Sequence, residues 1–122
     1  MISRERAAAR MVELLDSPFL RALTEPERLE LLRVLLVHGP GDIATVAERM
    51  PQDRSVISRH LKTLEDAGIV RGSREGRHRI YALDAAGFIG HLERILAETR
   101  SLAAICCPPV EEVVPASRLR RR

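Results

Sequence analysis

Residues 53–68, DRSVISRHLKTLEDAG, leave room for little except an amphipathic helix with defined ends. Asp53 is a preferred N-cap type and Gly68 a preferred residue just past a helix C-terminus. Between them Val56, Ile57, His60, Leu61 and Leu64 recur at helical spacing and form one stripe to bury. Arg54, Ser55, Ser58, Arg59 and Lys62 fall on the other side. Hydroxyls that can bond base edges or phosphates, flanked by cations that can sit on the backbone, suit a helix lying in a DNA major groove. A polar face with a few cations is also the ordinary surface of a soluble protein, so the neighbouring segments decide.

Those segments are consistent with a single domain: the chain has 122 residues, enough to bury a core without staples. It has no run of about 18 apolar residues and no uninterrupted apolar leader with a small-residue cleavage site, so a cytoplasmic protein with no membrane span is expected. Positive charge is clustered. Residues 53–79 carry seven Lys or Arg against four Asp or Glu, and the terminal RLRRR carries four arginines, while the whole chain is only +3. Such clustering suits a polyanionic partner. Phe19, Phe88 and Tyr81 are the only aromatics, which argues against a protein that stacks single-stranded bases.

In chain order, residues 2–15 are rich in helix formers, with Met11, Leu14 and Leu15 on one face, and Asp16-Ser17-Pro18 interrupts them. After a short apolar segment, Phe19–Leu23, the run Thr24-Glu25-Pro26-Glu27 reads as a capping box that opens a helix to about Val37. Its apolar residues, Leu29, Leu31, Leu32 and Val34 to Val37, spread around most of the circumference, so it is expected at the buried centre. Asp42 caps a short helix to about Met50, and Pro51-Gln52 leads directly into Asp53. Two short helices so joined, the second cationic, form a helix-turn-helix.

Beyond Gly68 the period changes. Residues 69–71 and 77–83 read as strands around the turn Gly72-Ser73-Arg74-Glu75-Gly76, a wing whose Arg71, Arg74, Arg77 and Arg79 could reach phosphates or a narrow minor groove. Asp84 caps a last helix to about Cys106, in which Phe88, Leu92, Ile95, Thr99, Leu102 and Cys106 keep an a/d rhythm. That stripe predicts packing along another helix, in a second copy, in the chain's own first helix, or in both. Pro108-Pro109 end the helix, which places a winged helix-turn-helix and dimerisation domain at residues 1–107 and a flexible basic tail at 108–122.

With these elements in order, ALTEPERLELLRVLL, VAERMPQDRSVISRHLKTLEDAGIV and EGRHRIYAL resemble the ArsR/SmtB family of winged-helix repressors over nearly the whole chain. The resemblance implies a mainly α fold with a small β-hairpin and a homodimer joined by first and last helices. It also implies double-stranded operator DNA as partner, released when an inducer binds. The candidate DNA-contact set is Gln52, Arg54, Ser55, Ser58, Arg59, His60, Lys62, Arg77 and Arg79, with His60 able either to pack beneath the helix or to donate to a phosphate.

The family's inducer sites differ from member to member. Cysteines in the bracing helix are missing from DIATVAERM, and along the last helix Asp84 and His91 remain where Ala86 and Ala97 replace zinc ligands, so no zinc site is expected. Cys106-Cys107 match the vicinal pair with which other members bind trivalent arsenic or antimony. Soft thiolates select such thiophilic metalloid ions. Two thiols suit antimonite with an oxygen third ligand, or a methylated trivalent arsenical, better than arsenite held by three. Adjacent Cα atoms about 3.8 Å apart are too close for an ordinary structural disulfide. Thiol-redox or persulfide sensing by the same pair, and a winged helix that binds protein instead of DNA, are the other readings. An enzyme is not expected: Cys-x-x-Cys, a Gly-rich phosphate loop and a Ser or Cys with a recognisable base partner are all missing.

Overall fold

A computed structural model describes residues 2–107, so the tail lies outside the described residues. Six helices and one hairpin follow in the order α1 (Arg4–Leu15), α2 (Pro18–Ala22), α3 (Pro26–His38), α4 (Ile43–Ala47), α5 (Arg54–Asp66), β1 (Val70–Glu75), β2 (His78–Leu83) and α6 (Ala85–Cys106). Most helix starts are fixed by short polar side chains. Ser3, Ser17, Asp42, Asp53 and Asp84 accept from the backbone N–H groups of Arg6, Leu20, Thr45, Val56 and Gly87.

The expected Thr24 capping box does not form. Pro26 takes the first helical position, so Glu25 becomes the N-cap and makes no side-chain cap bond. Thr24 Oγ1 instead donates to the Arg21 carbonyl at 2.8 Å, closing α2, a helix where the sequence predicts only a short apolar segment. The Arg28 guanidinium donates to the Ala22 carbonyl at 2.8 Å and completes that helix end.

The core is assembled on α5. Ile57, Leu61 and Leu64 are fully buried with Leu31, Val34 and Leu35 of α3, Val46 of α4, and Ile69 and Tyr81 of the hairpin region. Each such side chain contributes roughly 1.5–3 kcal/mol by leaving water. α3 is buried on one side only: Leu29, Leu36 and Val37 are 47%, 62% and 62% exposed, contrary to the expectation of an all-round core helix. α4 ends at Ala47, three residues earlier than expected, though Met50 remains buried.

The hairpin is longer and its turn tighter than expected. Antiparallel pairing runs from Val70↔Leu83 to Glu75↔His78, leaving Gly76-Arg77 as the connection, with Gly76 at φ 64. Gly72 is strand residue, and its missing side chain has a packing reason: a Cβ there would lie 2.7 Å from Arg79 Nε. A backbone bridge between Gly41 and Tyr81 ties the hairpin to the start of α4.

α6 turns back along α1. The Arg10 guanidinium meets Glu98 at 2.8 Å, and Phe88 and Ile95 pack on the core, with the Phe19 and Phe88 rings 5.4 Å apart. Leu102 is buried. Much of the a/d stripe therefore faces the chain's own helices. Leu92 of that stripe stays open, with Ile89 and Leu96 of α6 exposed beside it, and Val12 and Leu15 of α1 are exposed as well. Among the described residues no helix is long and apolar enough to cross a membrane.

Candidate nucleic-acid interface and thiol pair

The polar side of α5 is held outward by the burial of its apolar side. Arg54, Ser55, Ser58, Arg59 and Lys62 are all exposed, as are Arg71, Arg74 and Arg77 of the hairpin. Asp53 anchors the helix start: its carboxylate accepts from the Val56 amide at 3.1 Å and from Ser55 Oγ at 2.7 Å. Ser55 thus already has a partner, whereas Arg54, Ser58 and Arg59 have no side-chain hydrogen bond or ion pair among the described residues. Lys62 meets Asp66 only at 3.5 Å.

Two of the remaining candidates are engaged within the protein. His60, whose side chain is 14% exposed, brings Nε2 to 2.9 Å from Glu27 Oε1 in the first turn of α3. Gln52, in the turn that leads into α5, is half-buried, and its Oε1 is buried without a protein partner. Arg79 donates to Glu65 at 2.6 Å and lies 5.8 Å over the Tyr81 ring, which fastens the wing to the far end of α5. His78 Nδ1 sits 3.0 Å from Asp42 Oδ2, a second strut between wing and bracing helix. Of the nine candidates, the structure places Arg54, Ser58, Arg59 and Arg77 at the surface without a side-chain partner among the described residues, Lys62 at the surface in a 3.5 Å pair with Asp66, Gln52 half-buried, and Ser55, His60 and Arg79 in intramolecular bonds. Glu27, Glu65 and Asp42, which hold the last of these and the wing in place, were missed, because a carboxylate that meets its partner from another helix leaves no local pattern.

Three of the anchoring carboxylates sit below the ordinary carboxylate range: Glu27 chiefly through its hydrogen bond with His60, Asp42 through the Thr45 amide and hydroxyl, and Asp53 through Ser55 and the Val56 amide. A folded-state pKa depressed below the unfolded value contributes stability that is present above the unfolded value and is lost as pH falls through the folded one. The thermal midpoint is therefore expected to hold between pH 8 and about 6 and to fall on acidification below about pH 5, where unfolded carboxylates begin to protonate. Scanning fluorimetry across that range checks it; Asp53→Asn, which keeps an N-cap residue without a titrating group, should flatten part of the acid limb.

At the other end of the molecule α6 closes with Cys106 and Cys107. Their sulfurs are 3.5 Å apart, Cys106 Sγ also contacts the Leu102 carbonyl at 3.3 Å, and both thiols are free. Cys106 raises the Cys107 thiol above its ordinary value, mainly through their hydrogen bond, while Arg4 of α1 acts weakly in the opposite direction. Two ligands on one ion with metal–sulfur bonds of about 2.3 Å cannot lie more than about 4.6 Å apart, so a 3.5 Å separation fits two thiolates on one ion. Among the described residues no group of three or more His, Cys, Asp or Glu converges on a metal position. His91, free of any such group, stacks on Phe19 with ring centroids 4.6 Å apart and covers Gly68, whose φ is 79.

Comparison with known proteins finds transcriptional regulators. The family model described as HVO_A0114 matches residues 23–84. Over 79 residues the chain is 34% identical to HTH-type transcriptional regulator NmtR of Mycobacterium tuberculosis, a match that covers 65% of this chain and 62% of the relative. Over 91 residues it is 33% identical to the "Probable mercury resistance operon repressor" of Streptomyces lividans, covering 73% of this chain and 72% of that one. It spans about half the length of two further regulators of Mycobacterium tuberculosis. Among solved structures, an ArsR-like transcriptional regulator from Rhodococcus sp. RHA1 superposes with a TM-score of 0.59 at 33% identity, covering 80% of this chain and 92% of that one.

Proposed function

Because this chain belongs to the ArsR/SmtB family of winged-helix transcriptional regulators, we propose that it is a homodimeric repressor that grips operator DNA through α5 and the wing and lets go when a thiophilic ion binds Cys106 and Cys107. The observation that carries the DNA reading is the outward face of α5. Arg54, Ser58, Arg59 and Lys62 are exposed on a helix whose Ile57, Leu61 and Leu64 are fully buried, and Arg77 in the turn of the wing is exposed as well. Arginine and lysine there would neutralise phosphates, while Ser58 would meet base edges. In a two-fold dimer the two α5 helices would enter successive major grooves about 34 Å apart. The relatives named for mercury resistance and cadmium resistance favour a metal-type inducer.

The thiol pair supports a trivalent metalloid as that inducer. Two thiols converge at a fixed helix end, and the third position would fall to an oxygen or to a methyl group the ion already carries. To act as an inducer the ion must bind the DNA-incompetent arrangement more tightly. Moving the population from 1:99 to 99:1 requires a preference of about 5.5 kcal/mol.

The test is fluorescence anisotropy of the reduced protein on its own promoter DNA, with salt varied first and inducers second. Six to ten phosphate contacts should lower affinity by roughly 10³–10⁵ between 50 and 200 mM salt. Antimonite or a methylated trivalent arsenical should then release the wild type, while Cys106→Ser and Cys107→Ser stay bound. A flat salt response overturns the DNA reading. Variants that respond like wild type overturn the sensor reading alone, and release by oxidant or persulfide instead of metalloid reassigns the pair to redox sensing.

A further inference from the structure

The DNA-facing side of α5 needs more than exposure: a helix presented at the wrong height or rotation would keep its phosphate contacts and lose its base contacts. Two groups bear on that orientation: Glu27, in the first turn of α3, and His60, in the middle of α5, whose Nε2 lies 2.9 Å from Glu27 Oε1. The separation in sequence is 33 residues, so this bond spans two elements of the core instead of two turns of one helix. His60 is nearly covered, so its side chain lacks the freedom of the surface arginines.

We propose that Glu27 is a positioning residue for DNA recognition. By holding His60 from α3, it fixes the height and rotation at which Ser58, Arg59 and Lys62 meet the groove. His60 then serves the operator indirectly, through this clamp, and not as a direct contact. The proposal deepens the DNA-binding reading and rests on it. A clamp of this kind acts on specificity more than on attraction, because phosphate contacts tolerate small displacements and base-edge hydrogen bonds do not.

The full chain is compared with Glu27→Ala, Glu27→Gln, His60→Ala and the Glu27→Ala/His60→Ala pair. Anisotropy is read on operator and on unrelated duplex, thermal midpoints by fluorimetry, and the His60 imidazole nitrogens by NMR. Glu27→Ala should weaken operator binding about tenfold and leave unrelated DNA within about twofold, with the midpoint lowered by only a few degrees. Glu27→Gln, which still offers an acceptor to His60, should recover most of the loss. The double variant should be no worse than the poorer single one, since both remove the same bond. The His60 nitrogen resonances should shift in Glu27→Ala without any DNA present. Unchanged His60 resonances, equal losses on both DNAs, or additive losses in the double variant would overturn the clamp. A wild type with no operator preference removes the DNA reading and the clamp falls with it, while the His60 resonances still report whether the bond itself exists.

Discussion

Leu92→Asp is expected to leave each protomer folded and to lower operator affinity by roughly a hundredfold or more, because a dimer engaging two half-sites gains about 10²–10⁴ over a single one. Leu92 is 44% exposed in the single chain and stands between Ile89 and Leu96, which are 54% and 49% exposed. Three large apolar side chains in one row on a helix, with Val12 and Leu15 exposed on the neighbouring α1, are what a partner helix would cover. A carboxylate placed in that row costs the monomer little, since exposed substitutions commonly change stability by about 0.5 kcal/mol or less. In a dimer the same carboxylate would be buried against apolar groups without a partner, which is strongly unfavourable. Light scattering should therefore give a monomer with a near-normal thermal midpoint, and anisotropy should give weak, half-site binding. A Leu92→Asp protein that stays dimeric with wild-type affinity would place the dimer contact elsewhere.

That prediction concerns a row that shares Leu92 with the stripe the sequence suggested and has Ile89 and Leu96 as its other members. Phe88, Ile95 and Leu102 keep the seven-residue spacing of a seam, and the structure spends that seam within the chain, on α1 and the core. Periodicity states that a helix face will be covered; it does not state by what. The open row of Ile89, Leu92 and Leu96 has the same spacing of three and four, and only its Leu92 lay in the expected stripe, because α6 is apolar on more than one side. Similarly, the caps Asp42, Asp53 and Asp84 were legible because an N-cap bond is local, made within three residues. The Thr24 box was misread although it is local too, since Pro26 moved the helix start by one residue. The wing's turn was misplaced for a different reason. Gly72 looked like turn chemistry, whereas its small size accommodates Arg79, whose own position depends on Glu65 from another helix. What sequence could not show was the set of cross-element bonds, Glu27 to His60, Glu65 to Arg79 and Asp42 to His78, that turn a cationic helix and a cationic hairpin into a single oriented surface.

Ile57→Ala and Arg59→Ala, two residues apart on α5, should separate folding from recognition. Ile57 is fully buried between α5 and the rest of the core, and truncating such a residue costs about 2–5 kcal/mol through lost burial and the cavity left behind. Against a total stability of about 5–15 kcal/mol that is a large share, and the thermal midpoint should fall by about 10–20 °C. Whatever fraction remains folded at low temperature should still bind operator, because no DNA-facing group has been removed. Arg59 is exposed and has no ion-pair partner among the described residues, so its loss should leave the midpoint within a degree or two. It should instead weaken binding and make the salt dependence shallower by about 0.9 in the log–log slope for each phosphate contact removed. Thermal melts and salt-titrated anisotropy on both variants check the pair. Should Arg59→Ala destabilise as much as Ile57→Ala, or leave the salt slope untouched, the outward side of α5 would be structural surface and the DNA face would have to be sought on another element.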